Sequence, residues 1–134
     1  MEQVCILDAC ALIAYLTDED GSNVVANCLK DDANIVMHKL NLLEVYYGFY
    51  SEQGKKCADE ILADVKKLNI EIIDEFSDEI FLQAGRLKAS YRMSLADSIL
   101  VAQSIMLDAT IVSSDHHELD KVEQSERIKF LWIR

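Results

Sequence analysis

Four acidic residues stand where carboxylates could do metal chemistry: Asp8 in "VCILDAC", Glu44 in "NLLEVYYG", Asp97 in "SLADSILVAQS" and Asp115 in "IVSSDHHELD". Asp8 and Asp115 each end an apolar, β-type run, whereas Glu44 and Asp97 each open a helix-type run. Every one of them also has a purely structural explanation. Asp8 suits the N-cap of a helix beginning at Ala9. Asn41 with Glu44, and Ser94 with Asp97, have the spacing of a capping box. Asp115 suits a turn that initiates the short helix "HHELDKV". Asp97 is the hardest to explain this way, because Leu95, Ala96, Ile99, Leu100 and Ala102 leave it a lone charge on a largely buried helix, where it needs a partner or a cation. Brought into one crevice, four carboxylates would repel each other and raise each other's pKa values unless a cation neutralised them. Hard oxygen donors of this kind fit Mg²⁺ or Mn²⁺. Such an ion can polarise a phosphodiester, lower the pKa of a water and stabilise the leaving oxygen.

The elements needed to gather these acids are visible in the hydrophobic pattern. Runs at 4–8, 33–38, 70–74, 109–114 and 128–133 read as strands. Apart from the first and last they lack alternation, which predicts burial on both faces. Helical periodicity fills the intervals in "ACALIAYL", "SNVVANCLKD", "NLLEVYYGFYSEQ", "KKCADEILADVKKL", "SDEIFLQAGRLKASY" and "SLADSILVAQSIML". Strands alternating with helices predict an α/β fold: one central parallel sheet of about five strands with helices on both faces. In such folds ligands bind beyond the carboxyl ends of the strands, where the strand order reverses. Two acids that end strands and two that open helices after strands therefore belong at one edge.

Composition limits the alternatives. The chain has 134 residues and 51% hydrophobic content, enough for a single domain spanning 1–134. It lacks proline, and its four glycines are scattered rather than gathered into a linker. Cys5, Cys10, Cys28 and Cys57 form no C-x-x-C pair and read as reduced thiols. No apolar run approaches the ~20 residues of a membrane helix, and Glu2 stands where a signal peptide would carry basic residues, so a cytoplasmic protein with no membrane association is expected. With 13 Lys and Arg against 24 Asp and Glu, the formal charge is −11. A generic nucleic-acid binder would be basic, so the charge suggests instead a basic partner, cations or simply a soluble acidic surface. No G-x-G-x-x-G is present for a dinucleotide. "LDAC" also lacks the D-x-D of a haloacid-dehalogenase-like phosphatase and the early acid pair of a phosphoacceptor domain.

Taken in order, "ILDACALIAYL", "NLLEVYYG", "SLADSILVAQS" and "IVSSDHHELD" resemble the acidic motifs of PIN-domain nucleases, above all VapC-like toxins of toxin–antitoxin pairs, over nearly the whole chain. The resemblance implies a Mg²⁺- or Mn²⁺-dependent endoribonuclease cutting RNA phosphodiesters with a metal-activated water. Asp8, Glu44, Asp97 and Asp115 would be its catalytic, metal-holding acids, and Ser113 would fall where the family often has Thr or Ser. It further implies a homodimer and a cognate antitoxin that blocks the site. The alternative is a catalytically silent PIN-like scaffold that binds RNA or a partner protein.

The acidity of the chain then requires a local basic strip for RNA or antitoxin, with Lys39, Arg86 and Arg92 as candidates; Lys88 reads better as solvated surface. His116 could touch phosphate, shuttle a proton or add a ligand, although exposed helix-start positions explain His116 and His117 more simply. Asp120 could supply an outer carboxylate, with a salt bridge or plain exposure the simpler account. Tyr46, Tyr47, Phe49 and Tyr50 crowd one helix, which predicts core packing and a protein partner's surface ahead of base stacking.

Overall fold

The structure is a computed structural model that describes residues 3–30 and 34–134. Its centre is a five-stranded sheet, β1 (Val4–Leu7), β2 (Asn34–His38), β3 (Glu71–Ile73), β4 (Thr110–Ser113) and β5 (Phe130–Trp132), all pairs parallel, in the order β3-β2-β1-β4-β5. Among the described residues seven helices join the strands: α1 (Ala9–Leu16), α2 (Ser22–Lys30), α3 (Lys39–Gln53), α4 (Lys55–Lys66), α5 (Asp78–Ser90), α6 (Leu95–Leu107) and α7 (His116–Ser125). The protein is thus a single α/β domain, as the alternation of patterns predicts. Residue 33, the first of the expected second strand, lies outside the described residues.

Side-chain alternation along the strands divides the core in two. Cys5, Leu7, Ile35, Met37 and Val112 face α1–α4, whereas Ile6, Val36 and Ile111 face α5–α7. The expected burial of individual strands needs correction at two places. β1 is the central strand and is covered on both faces, while β3 is an edge strand with no fully buried residue. Four residues cannot display a reliable period, so position in the sheet decides.

Several helix starts are set by side-chain caps, α4 begins after Gly54 without one, and α3 departs from the cap expected of it. Ser77 caps α5 through Ile80 N at 3.3 Å and Ser94 caps α6 through Asp97 N at 3.0 Å. The predicted Asn41–Glu44 capping box does not form. His38 caps α3 instead, its Nδ1 accepting from Leu40 N at 3.1 Å while Nε2 bonds Glu75 O at 3.1 Å. Asn41 therefore lies inside the helix, fully buried, and neither of its polar side-chain atoms has a protein partner. At the end of β5, Gly21 with φ +94° lets the α1–α2 turn pack on Ile133, whose carbonyl would be 2.6 Å from any Cβ there.

Candidate metal centre

The chain runs outward from β1 to β2 and β3, then returns to place β4 and β5 on the other side, so the strand order reverses between β1 and β4. A cleft of ≈ 390 Å³ opens near the carboxyl ends of these two strands. Its lining includes Asp8, Glu44, Asp97 and Asp115, together with Glu118, and among its described residues there is no Lys or Arg.

Asp8 follows β1 and is only 2% exposed. Its Oδ1 accepts from Ala11 N at 2.8 Å, capping α1, and its Oδ2 accepts a short hydrogen bond from the Ser113 hydroxyl. The structural and chemical readings of Asp8 are thus compatible, because each oxygen keeps a lone pair. Ser113 is itself fully buried and accepts from Asp115 N at 2.9 Å, so one hydroxyl ties the two strand-end acids together. Asp115 in turn caps α7 through Glu118 N at 3.3 Å. Burial outweighs these hydrogen bonds at Asp8, and with Asp115 and Glu44 nearby its pKa rises from 3.8 to about 6.

Asp97 projects from the first turn of α6 and is 6% exposed. Burial, a hydrogen bond with Glu118 and the charges of Asp8, Glu118 and Asp115 push its pKa well up. Glu118 is held low by that same bond and by the Ser94 backbone amide. One proton shared between them describes the pair best. Burial, then Glu118 and Asp115, raise Glu44 as well. Cys10 lines the cleft, where burial and then the carboxylates of Asp8, Asp115, Asp97 and Glu44 push its thiol up to about 12.

Carboxylate oxygens of Asp97, Asp115 and Glu118 lie within 4.8 Å of one another. An oxygen-only donor set, buried acids with raised pKa values and no lining Lys or Arg together fit a hard divalent cation. Glu118 is the acid that reading the sequence missed. Its signal was the Asp115-x-x-Glu118 spacing, the same one noted at Ser94 and Asp97.

The accessory candidates scatter. His116 does not line the cleft: Nδ1 meets Asp120 Oδ1 at 2.8 Å, Nε2 meets Arg134 O at 2.9 Å, and the ring stacks on Trp132 at 3.8 Å. Asp120 accordingly takes the first of the two simpler roles expected of it, pairing with His116 at 2.8 Å. Arg86 is held by Glu126 at 2.8 Å, on the α5 side. Lys39 and Arg92 are exposed, Arg92 two residues before Ser94 of the cleft. Of the aromatic set, Phe49 is core, Tyr46 donates to Asp59 Oδ1 at 2.6 Å, and Tyr47 is exposed on the cleft's lining.

A twisted parallel sheet with an acidic cleft at its switch point is the architecture of a recognised class, and the sequence matches the PIN domain family over residues 5–124; the chain belongs to that family. Among solved structures it is similar to a chain of VapBC2 from Rickettsia felis, solved with a promoter DNA fragment, at a TM-score of 0.76 and 19% identity over 97% of this chain and 98% of that one. It is also similar to VapBC-1 of nontypeable Haemophilus influenzae, at a TM-score of 0.71 and 14% identity over 98% of each chain. A third likeness is to VapC20 of Mycobacterium tuberculosis, described as a toxin that cleaves the sarcin–ricin loop, at 0.67 and 13% over 84% and 90%. No curated protein sequence matches the chain. Among the described residues, no helix is long and apolar enough to cross a membrane.

Proposed function

We propose that this protein is a metal-dependent endoribonuclease acting as the toxin of a toxin–antitoxin pair. The observation that carries this reading is the convergence of five carboxylates, with no Lys or Arg between them, at the switch point of a PIN-family sheet. Asp8, Asp97 and Asp115 would hold Mg²⁺ or Mn²⁺, joined by Glu118, and Glu44 would hold or orient it. A divalent ion in this cleft would polarise an RNA phosphodiester and make a water acidic enough to attack.

The chain's own residues do the positioning. Ser113 fixes Asp8 and Asp115 relative to each other. The Ser94 amide fixes Glu118, and the cap on α1 stops Asp8 from rotating. Arg92 and Tyr47, both exposed and near or lining the cleft, would hold a phosphate and a base of unpaired RNA. Arg86, tied to Glu126, is a poorer candidate for that contact. The solved VapBC complexes support an antitoxin as a protein partner, and the cytoplasm as the setting and a second copy of the chain complete the reading.

Purified protein freed of any antitoxin, incubated with total RNA and Mg²⁺ or Mn²⁺, should give discrete fragments that vanish with a chelator and with Asp97→Asn. Fragments that persist in the Asp97→Asn protein would remove the cleft from the chemistry. Absence of both cleavage and calorimetric ion binding would leave the silent scaffold as the better description.

A further inference from the structure

Residues 132–134 bring three parts of the cleft's frame together. Ile133 N donates to Ser113 O at 3.0 Å, and the Ser113 hydroxyl is what joins Asp8 to Asp115. The Arg134 guanidinium donates to Asp20 O at 2.9 Å and to Glu19 Oε1 at 3.3 Å in the α1–α2 turn, while the Arg134 carbonyl meets His116 Nε2 at 2.9 Å. Trp132 stacks on the His116 ring, with centroids 3.8 Å apart and 20° between the planes, and Phe130 extends the stack at 4.9 Å. Trp132 Nε1 also donates to Glu123 Oε2 at 3.1 Å.

Helix α7 needs such a hold. Its buried residues are Leu119 and Val122, and a pair spaced i, i+3 marks one short line of contact about which a helix can still roll. Asp115 at the N-cap and Glu118 in the first turn must nevertheless present oxygens to one ion, and Mg²⁺ demands near-octahedral geometry at about 2.0–2.1 Å. His116 and Glu123 are seven residues apart, so they share a face of α7 two turns from each other. Trp132 grips both, which fixes the roll of α7 on β5.

We infer that Trp132 and Arg134, acting through His116, are positioning residues of the metal centre: this brace sets the roll of α7 and with it the places of Asp115 and Glu118. The inference rests on the cation of the function proposed above and on no other part of that reading, because an ion held by these acids needs the same geometry whether or not RNA is cut.

Trp132 is the chain's one tryptophan, so the brace has its own signal. In calorimetry on the full chain, Trp132→Leu should lower Mg²⁺ affinity about tenfold, the lower end of what lost support costs a metal site. Trp132→Phe, which keeps a ring over His116, should restore most of it, and Arg134→Ala should act in the same direction as Trp132→Leu. Coupling is reciprocal, so saturating Mg²⁺ should protect Trp132 of the wild type from quenching by acrylamide, and Asp97→Asn should abolish that protection. Heat denaturation in chelator gives the range over which each variant is folded. Val65→Ala, which opens a cavity under α4 away from the cleft, should lose heat stability and keep full ion affinity. Ion affinity unmoved by Trp132→Leu, an equal loss in Val65→Ala, no recovery in Trp132→Phe, or quenching indifferent to Mg²⁺ would each overturn the inference. So would a wild type that binds no Mg²⁺, which also removes the metal from the proposed function. A wild type that binds Mg²⁺ and shows these effects yet cuts no RNA would leave the brace in place and fail the nuclease alone.

Discussion

The acidic cleft and the α5 face lie on either side of one helical turn, and each departs from ordinary burial in the opposite sense. The cleft buries carboxylates, with Asp8 and Asp97 nearly inaccessible, whereas the face exposes Phe81, Leu82 and Leu95. A lone buried charge and an exposed apolar patch are both unfavourable in an isolated domain. Each therefore points to a missing companion, a cation for one and an apolar surface for the other. Leu95 and Asp97 are two residues apart, so the two regions can be separated by neighbouring substitutions.

The largest contrast is expected there. Asp97→Asn should lower ion affinity by at least about a hundredfold and abolish cleavage while leaving the binding of an apolar dye to the α5 face unchanged, since ligand loss exceeds the 10–100-fold cost of losing an outer-shell support. Leu95→Asn should do the reverse, lowering the binding of an apolar dye to the exposed α5 face with ion affinity kept. If either substitution moves both readouts equally, the two regions are not independent.

Next in size is a pH effect confined to the cleft. Asp8 has a folded pKa of about 6 against an ordinary 3.8, so the folded protein holds the proton more tightly than the unfolded chain. The associated stability is fully present below about pH 4 and lost as pH rises through about 6, a change of up to ~3 kcal/mol. Asp97 and Glu44, also raised, act in the same direction. In chelator, the heat-denaturation midpoint of the wild type should fall between pH 5 and 8, and Asp8→Asn should flatten that slope and be the more stable protein at pH 8. A Leu82→Ser protein should keep the wild-type slope, because no titrating group has been altered.

A smaller effect is expected at Ser113. Ser113→Ala removes the donor to Asp8 Oδ2 and the acceptor for Asp115 N, both buried or half-buried. We expect a loss of about 1–3 kcal/mol in chemical denaturation and a further weakening of ion binding that Ser113→Thr should largely restore. Full ion affinity in Ser113→Ala would mean that the two acids hold their places without the hydroxyl.

The sequence disclosed most where chemistry is local. Helix α1 agrees with its pattern to the residue, and α6 begins after the Ser94 cap it was expected to have. The four acids share one cleft because strand ends and helix starts in a parallel α/β fold share an edge, a rule of topology rather than of any single residue. What stayed hidden depends on distant chain. His38 took over the α3 cap because Glu75, 37 residues away, holds the imidazole, and Asn41 was drawn into the interior instead. Arg86 looked available for phosphate until Glu126, 40 residues on, was placed beside it. The α5 face was illegible for another reason: Ile80, Phe81, Leu82, Ala84 and Leu87 are too many apolar residues for one stripe, and periodicity cannot say which of them the domain leaves uncovered.

Cys10 gives the cleft an electrometer. Part of the rise in its thiol pKa is owed to the four carboxylates it faces, so its rate of alkylation at fixed pH gauges the negative potential beside it. Filling the cleft with a divalent ion should discharge that potential and quicken labelling at this one exposed cysteine, while Cys5, buried in the core, stays silent. Occupancy of the site could thus be read by mass spectrometry on a protein with no substrate in hand.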